Sequence, residues 1–183
     1  MLLEYSKLKE TELFSFFNFT EIGRKPQSSG MMEIHLKPGG FQEFIDVAMK
    51  VDRSEGVHEG TLVLDRDWIG GPMTINPFGK DLAKSFVEAV THPVDKEKAS
   101  SVISTIWGLS GSADKILYLS EKPEAEQKQI EKLANVYFGV DKCFSLELDK
   151  CRILIENIRD VGRSRLRIVI TSLEKREKQL LTQ

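Results

Sequence analysis

Between Arg163 and Ile170 the chain alternates: Arg163, Arg165 and Arg167 fall on one side of a two-residue period, Leu166, Ile168 and Ile170 on the other. An extended strand turns that period into two faces, one charged and one apolar. A strand with one wet and one apolar side belongs in an antiparallel sheet covered on a single face. The runs "CFSLELD" and "CRILIENI" just before it are two further strand candidates. Near the N-terminus, "MMEIHL" reads as a strand broken by "KPGG". Ile45, Val47, Met49 and Val51 alternate with Asp46, Ala48, Lys50 and Asp52 up to the turn "RSEG", and "TLVLD" follows. This predicts an antiparallel hairpin, although Phe41, Phe44, Ile45 and Ala48 also allow a helical opening turn. The phenylalanine-rich "ELFSFFNFTEI" is expected to be a strand, because aromatic residues favour extended backbone.

Helical signals fill the middle of the chain. Asn76-Pro77 is a start signal, with asparagine as N-cap and proline at the first helical position. Phe78, Leu82, Phe86 and Val90 then recur every four residues, and Pro93 stops the pattern. A second helix is expected from Lys96 to Trp107, with Val102, Ile103, Ile106 and Trp107 as its apolar residues. "KILYLS" reads as a strand, Pro123 to Phe138 as a helix ended by Gly139, and "LEKREKQLL" as a closing helix. The expected fold is therefore α+β, mainly antiparallel sheet with about four helices packed against it. One domain over residues 1–183 is expected, or two packed halves meeting near 108–114, in "GLSGSAD".

With 183 residues, 40% of them hydrophobic and 30% charged, the chain can bury a core without crosslinks. The formal net charge of −2 gives no general attraction to nucleic acid or anionic lipid. Charge is uneven along the chain: residues 1–92 hold 10 basic and 14 acidic side chains, residues 150–183 hold 9 and 4. Cys143 and Cys151 are too few for a disulfide framework and are expected as reduced thiols buried in strands. Lys150 and Arg152 beside Cys151 are a faint signal for a reactive thiol. The charged N-terminus lacks a leader's apolar run, and no stretch nears the roughly 18 apolar residues of a membrane span. A soluble, cytoplasmic protein is expected.

Two stretches could hold a site. The first is "LDRDWIGGPMTINPFGKD", Leu64 to Asp81. Its functional reading is an anion site at a helix N-terminus, with Gly70 and Gly71 letting backbone approach a ligand, Asn76 opening the helix and Lys80 supplying charge. Asp65 and Asp67 would end the strand on one side and could share Mg²⁺ with a phosphate. The competing reading is a turn with an asparagine cap, which explains the same glycines and proline. The loop matches neither standard phosphate-binding glycine motif.

The second is the row Arg163, Arg165, Arg167, which could grip an acidic partner or phosphates. It could equally pair across the sheet with Glu147, Asp149 and Glu156 on a solvated face. No aromatic residues interleave the arginines, so single-stranded nucleic acid, which needs stacking platforms, fits poorly. His35, His58 and His92 show no close metal-ligand spacing, and no nucleophile elbow is present. The leading expectation is a non-catalytic binding module working through the arginine face, its partner an acidic protein. The alternative is an enzyme or sensor holding a phosphorylated small molecule at the 65–80 loop. Edge-to-edge dimerisation is a further expectation that needs strand pairing to place.

Overall fold

The computed structural model describes residues 1–40, 42–71, 73–108, 122–160 and 162–173. The strand expected at 115–120, the boundary near 108–114 and nearly all of the closing helix lie outside them. Strands from both sides of that boundary meet in one antiparallel sheet. Its main path is β2 (Thr20–Pro26), β3 (Met32–Lys37), β4 (Ile45–Val51), β5 (Gly56–Asp65), β10 (Arg163–Ser172), β9 (Cys151–Asp160) and β8 (Cys143–Glu147). The short β1 (Leu3–Glu4) adds to β5 beyond this path, making eight strands. A separate small ladder joins β6 (Gly70–Gly71) to β7 (Thr74–Ile75).

The two-residue period sets the layering. On one face, Leu166 lies beside Leu64, which lies beside Ile45; Ile168, Leu62 and Val47 form the next row. All six are buried. Among the described residues, helices cover this face alone. Helix α3 (Pro77–Val90) crosses β5 and β10, α5 (Glu124–Tyr137) lies under β8 and β9, and α4 (Lys96–Gly108) packs between them. Leu82, Phe86 and Val90 of α3 are fully buried, and Phe78 packs on the same core from a half-buried position. Among the described residues, no helix is long and apolar enough to cross a membrane.

The N-terminal segment departs from the sequence reading. Tyr5–Lys9 forms the short helix α1, and Glu12–Phe17, expected as strand, forms α2. Leu13 and Phe17, four residues apart, are both buried, while Phe16 points outward at 73% exposure. Helical spacing of the two residues that reach the core overrides the strand preference of phenylalanine. Asn18 ends α2 in the left-handed region at φ 51°, and β2 starts two residues later. The other ambiguity resolves as expected: Gln42–Phe44 makes one 3₁₀ turn, and the alternating strand follows from Ile45.

Three polar side chains, one buried and two half-buried, fasten helices to the sheet. Asp95, fully buried after α3, accepts backbone N–H bonds from Asp149 (3.1 Å), Lys150 (2.7 Å) and Cys151 (3.1 Å), in the β8–β9 turn. Burial opposes its charge, but these donors and the Cys151 thiol outweigh it and hold the carboxyl below its usual range. Half-buried Arg66 donates to the Tyr137 carbonyl, placing its charge at the C-terminal end of α5, where the helix dipole favours a cation. Asn157 donates to the Val136 and Asp141 carbonyls at the same helix end.

Cys143 and Cys151 are both free thiols. Cys151 is buried as expected, but burial and then the Asp95 hydrogen bond push its pKa up to about 12, opposite to the pull expected from Lys150 and Arg152. Cys143, expected in the core, is exposed, because Phe144 takes the inward position of β8.

Candidate functional site

The Leu64–Asp81 loop is closed by its own hydrogen bonds. The strand ends at Asp65, and Arg66–Trp68 makes a 3₁₀ turn that carries Asp67 away from the strand. Asp65 is buried. One of its oxygens accepts the Asp67 backbone N–H at 3.3 Å, and the other meets Arg163 Nη1 at 3.3 Å. Asp65 thus spends both oxygens within the chain, and Asp67 sits in the 3₁₀ turn rather than on the strand. Among the described residues, no group of His, Cys, Asp and Glu comes together as a metal site.

Gly70 and Gly71 pair with Ile75 and Thr74 in the small two-strand ladder. Gly70 has φ +74°, and a Cβ there would sit 2.1 Å from the Thr74 carbonyl oxygen. Its glycine is explained by this close crossing of backbone. At the head of α3 the donors are engaged. Pro77 has no N–H, Asn76 Oδ1 accepts from Phe78 (3.0 Å) and Gly79 (3.4 Å), and Lys80 N–H goes to the Asn76 carbonyl (3.1 Å). An incoming anion would have to displace the cap. His92, just beyond α3, caps the next turn, its Nδ1 accepting the Val94 N–H.

Asn76→Ala is therefore expected to cost about 0.5–2 kcal/mol of stability. Lys80 lies near the positive end of the helix, so Lys80→Ala is expected to be neutral or slightly stabilising. Chemical denaturation of both variants checks this pair. A Lys80→Ala protein that is clearly less stable, or a wild-type thermal shift with millimolar phosphate that Lys80→Ala abolishes, would reinstate the anion reading.

The arginines open onto the other face of the sheet, which no described helix covers. They are interleaved with carboxylates. Arg167 meets Glu156 at 2.6 Å, the cross-strand pair anticipated from the sequence. Arg165 bridges Asp46 (3.3 Å) and Asp160 (3.4 Å), and only 16% of its side chain is exposed. Arg163 pairs with Asp65 and lies over the Phe44 ring. Glu147 and Asp149 are used elsewhere, by Arg152 and Lys98 respectively. Lys50–Glu59 and Lys37–Asp46 continue the pattern toward β3. Acid and base neutralise each other across the face, and exposed pairs of this kind contribute only about 0–1 kcal/mol each.

Between these charged rows runs a strip that the sequence alone did not reveal. Strand register places His35, Ala48, Thr61, Val169 and Leu154 side by side on β3, β4, β5, β10 and β9. All five are half-buried. Two shallow hollows meet along the strip and share Ala48 and Thr61. One, about 270 Å³, reaches Ile22 and Val63; the other, about 460 Å³, reaches Leu154, Arg167 and Val169. Four strand spacings give the strip a length of roughly 19 Å, the reach of about six extended residues. Each neighbour comes from a different strand, so the strip exists only once the register is set.

No protein-family model matches the chain, and neither a curated protein nor a solved structure resembles it significantly.

Proposed function

We propose that this protein is a non-catalytic interaction module that takes a polypeptide partner on the open face of its sheet. One observation carries the reading: the strip from His35 to Leu154 is a half-buried trough, with Ala48, Val169 and Leu154 as its apolar members beside His35 and Thr61, between rows of paired charges and uncovered by any described helix. A small ligand needs a site that encloses most of its surface, whereas this trough is long, shallow and open. A protein segment fits it better, with apolar side chains on the floor and polar ones on the rim. Arg167 and Arg163, whose side chains are 41% and 55% exposed, are the arginines that a partner's carboxylates reach. Arg165, held between two aspartates, is a support for the face. Among the described residues no Phe, Tyr or Trp lines the hollows, which leaves the single His35 ring and not a row of stacking platforms for nucleic-acid bases.

The test is affinity capture from the protein's own cells with wild type, Val169→Arg and the double variant Arg163→Gln/Arg167→Gln. Val169→Arg, on the floor, is expected to abolish capture of the specific partner. The double variant is expected to weaken it and flatten its salt dependence. Both should stay folded and unfold within about 2 kcal/mol of wild type, since the two ion pairs lost contribute about 0–1 kcal/mol each and Val169 lies on the open side. A partner retained equally by all three proteins would show that the open face is not the working surface.

A further inference from the structure

The sheet ends in two edges, β2 and β8, and they are built differently. Edge strands expose unpaired backbone groups, and proteins that stay single blunt them with bulges, prolines and basic side chains. Strand β2 carries all three: a register shift between Glu21 and Gly23, the pair Arg24-Lys25, and Pro26 at its end. Strand β8, with the sequence Cys143-Phe144-Ser145-Leu146-Glu147, has no lysine, no proline and no register shift. Among the described residues, nothing pairs with its outer side.

The backbone pattern shows which groups face outward. Asn157 N–H bonds to the Lys142 carbonyl and Leu148 N–H to the Cys151 carbonyl. In an antiparallel ladder, bonded positions alternate, so residues 142, 144, 146 and 148 face β9. Cys143, Ser145 and Glu147 therefore aim their N–H and C=O groups away from the sheet.

We propose that β8 is the dimerisation edge of this protein and that its occupant is β8 of a second copy, antiparallel about a two-fold axis at Ser145. The strand is complementary to itself in that register. Ser145, small and neutral, faces its own copy. Phe144 meets the partner's Leu146 on the helix-covered side, so the apolar layer runs on across the join. On the open side Cys143 meets the partner's Glu147, and no like charges face each other within the strand. The small residue at the axis and the Phe144–Leu146 contact make a second copy in this register the occupant that fits the strand, with no repulsion inside it. The axis is perpendicular to the sheet, so both open faces lie on the same side of the dimer. The pairing does not depend on the function proposed above.

Sedimentation equilibrium over a wide concentration range tests it. Wild type is expected to rise from the monomer mass to twice that mass. Ser145→Pro removes an N–H that makes no bond within the chain, so it should leave the thermal midpoint unchanged while holding the protein at monomer mass. Ser145→Arg places like charges at the axis and carries the same test if proline perturbs the strand. In a Cys143→Ser background, Ser145→Cys should give a disulfide-linked dimer on mild oxidation, since directly opposed bonded positions lie about 5.5 Å apart. A wild type that stays monomeric at every concentration overturns the proposal. So does a dimer that survives both Ser145→Pro and Ser145→Arg.

Discussion

Asp95→Ala is expected to lower the unfolding free energy by about 3–5 kcal/mol, well beyond the loss of one ordinary hydrogen bond. The substitution removes a buried acceptor and strands the backbone N–H groups of Asp149, Lys150 and Cys151. It also unties the start of α4 from the β8–β9 turn. Asp95→Asn should fall between alanine and wild type, because one of the two acceptor oxygens becomes a donor facing donors. The pH dependence follows from the depressed pKa of Asp95. A carboxylate with a lowered folded-state pKa contributes fully above the unfolded value, near 4. Its contribution is lost as pH falls through the folded value. Asp52 adds in the same direction, its pKa lowered by hydrogen bonds from the Ser54 hydroxyl and from His58. Wild-type stability should therefore decline steeply below about pH 4. Asp95→Asn should show a shallower decline in the same window. Urea denaturation from acid to neutral pH checks both.

Gly79→Ala is expected to destabilise the protein by about 2–3 kcal/mol, against the trend of helix propensity. In an exposed helix the same change would gain about 1 kcal/mol. Here Gly79 is buried in the first turn of α3, and a Cβ would stand 1.8 Å from the Trp68 carbonyl oxygen. Backbone meets backbone at this point, so no side chain can turn aside to make room. The helix would have to lift from the Arg66–Trp68 turn, loosening the contact of Phe78 with Trp68, whose ring centroids lie 5.1 Å apart. A thermal midpoint lower by roughly 5–10 °C is the expected reading for a chain of this size. An unchanged or raised midpoint would mean that α3 does not press on that turn.

Local patterns in the sequence carried most of the architecture. The two-residue alternation of Ile45–Val51 and Arg163–Ile170, the Asn76-Pro77 start and the Gly139 stop each depend on a few adjacent residues, and each is found in the structure. What depends on distant pairing was not legible. Glu12–Phe17 is a helix because Leu13 and Phe17 reach a core assembled by other segments. Cys143 is exposed because Phe144 claims the inward side of β8, a one-residue phase that a short apolar run leaves open. The arginine row was readable as a face, but most of its partners were not. Asp46 reaches Arg165 from β4, across the intervening β5. Nothing around Asp95 signals that its donors lie more than fifty residues later in the chain. The strip on the open face is the extreme case, with five residues from five strands joined only by register.

The most direct test of the open face as the working surface is side-chain footprinting with hydroxyl radicals, on the free protein and on its complex with the captured partner. Leu154, Val169, Val63 and Ile22 are expected to be oxidised in the free protein and protected in the complex. Phe16 and Met73, exposed at 73% and 79%, should react equally in both. Protection of Phe16 or Met73 with unchanged reactivity at Leu154 and Val169 would contradict that assignment and place the partner elsewhere.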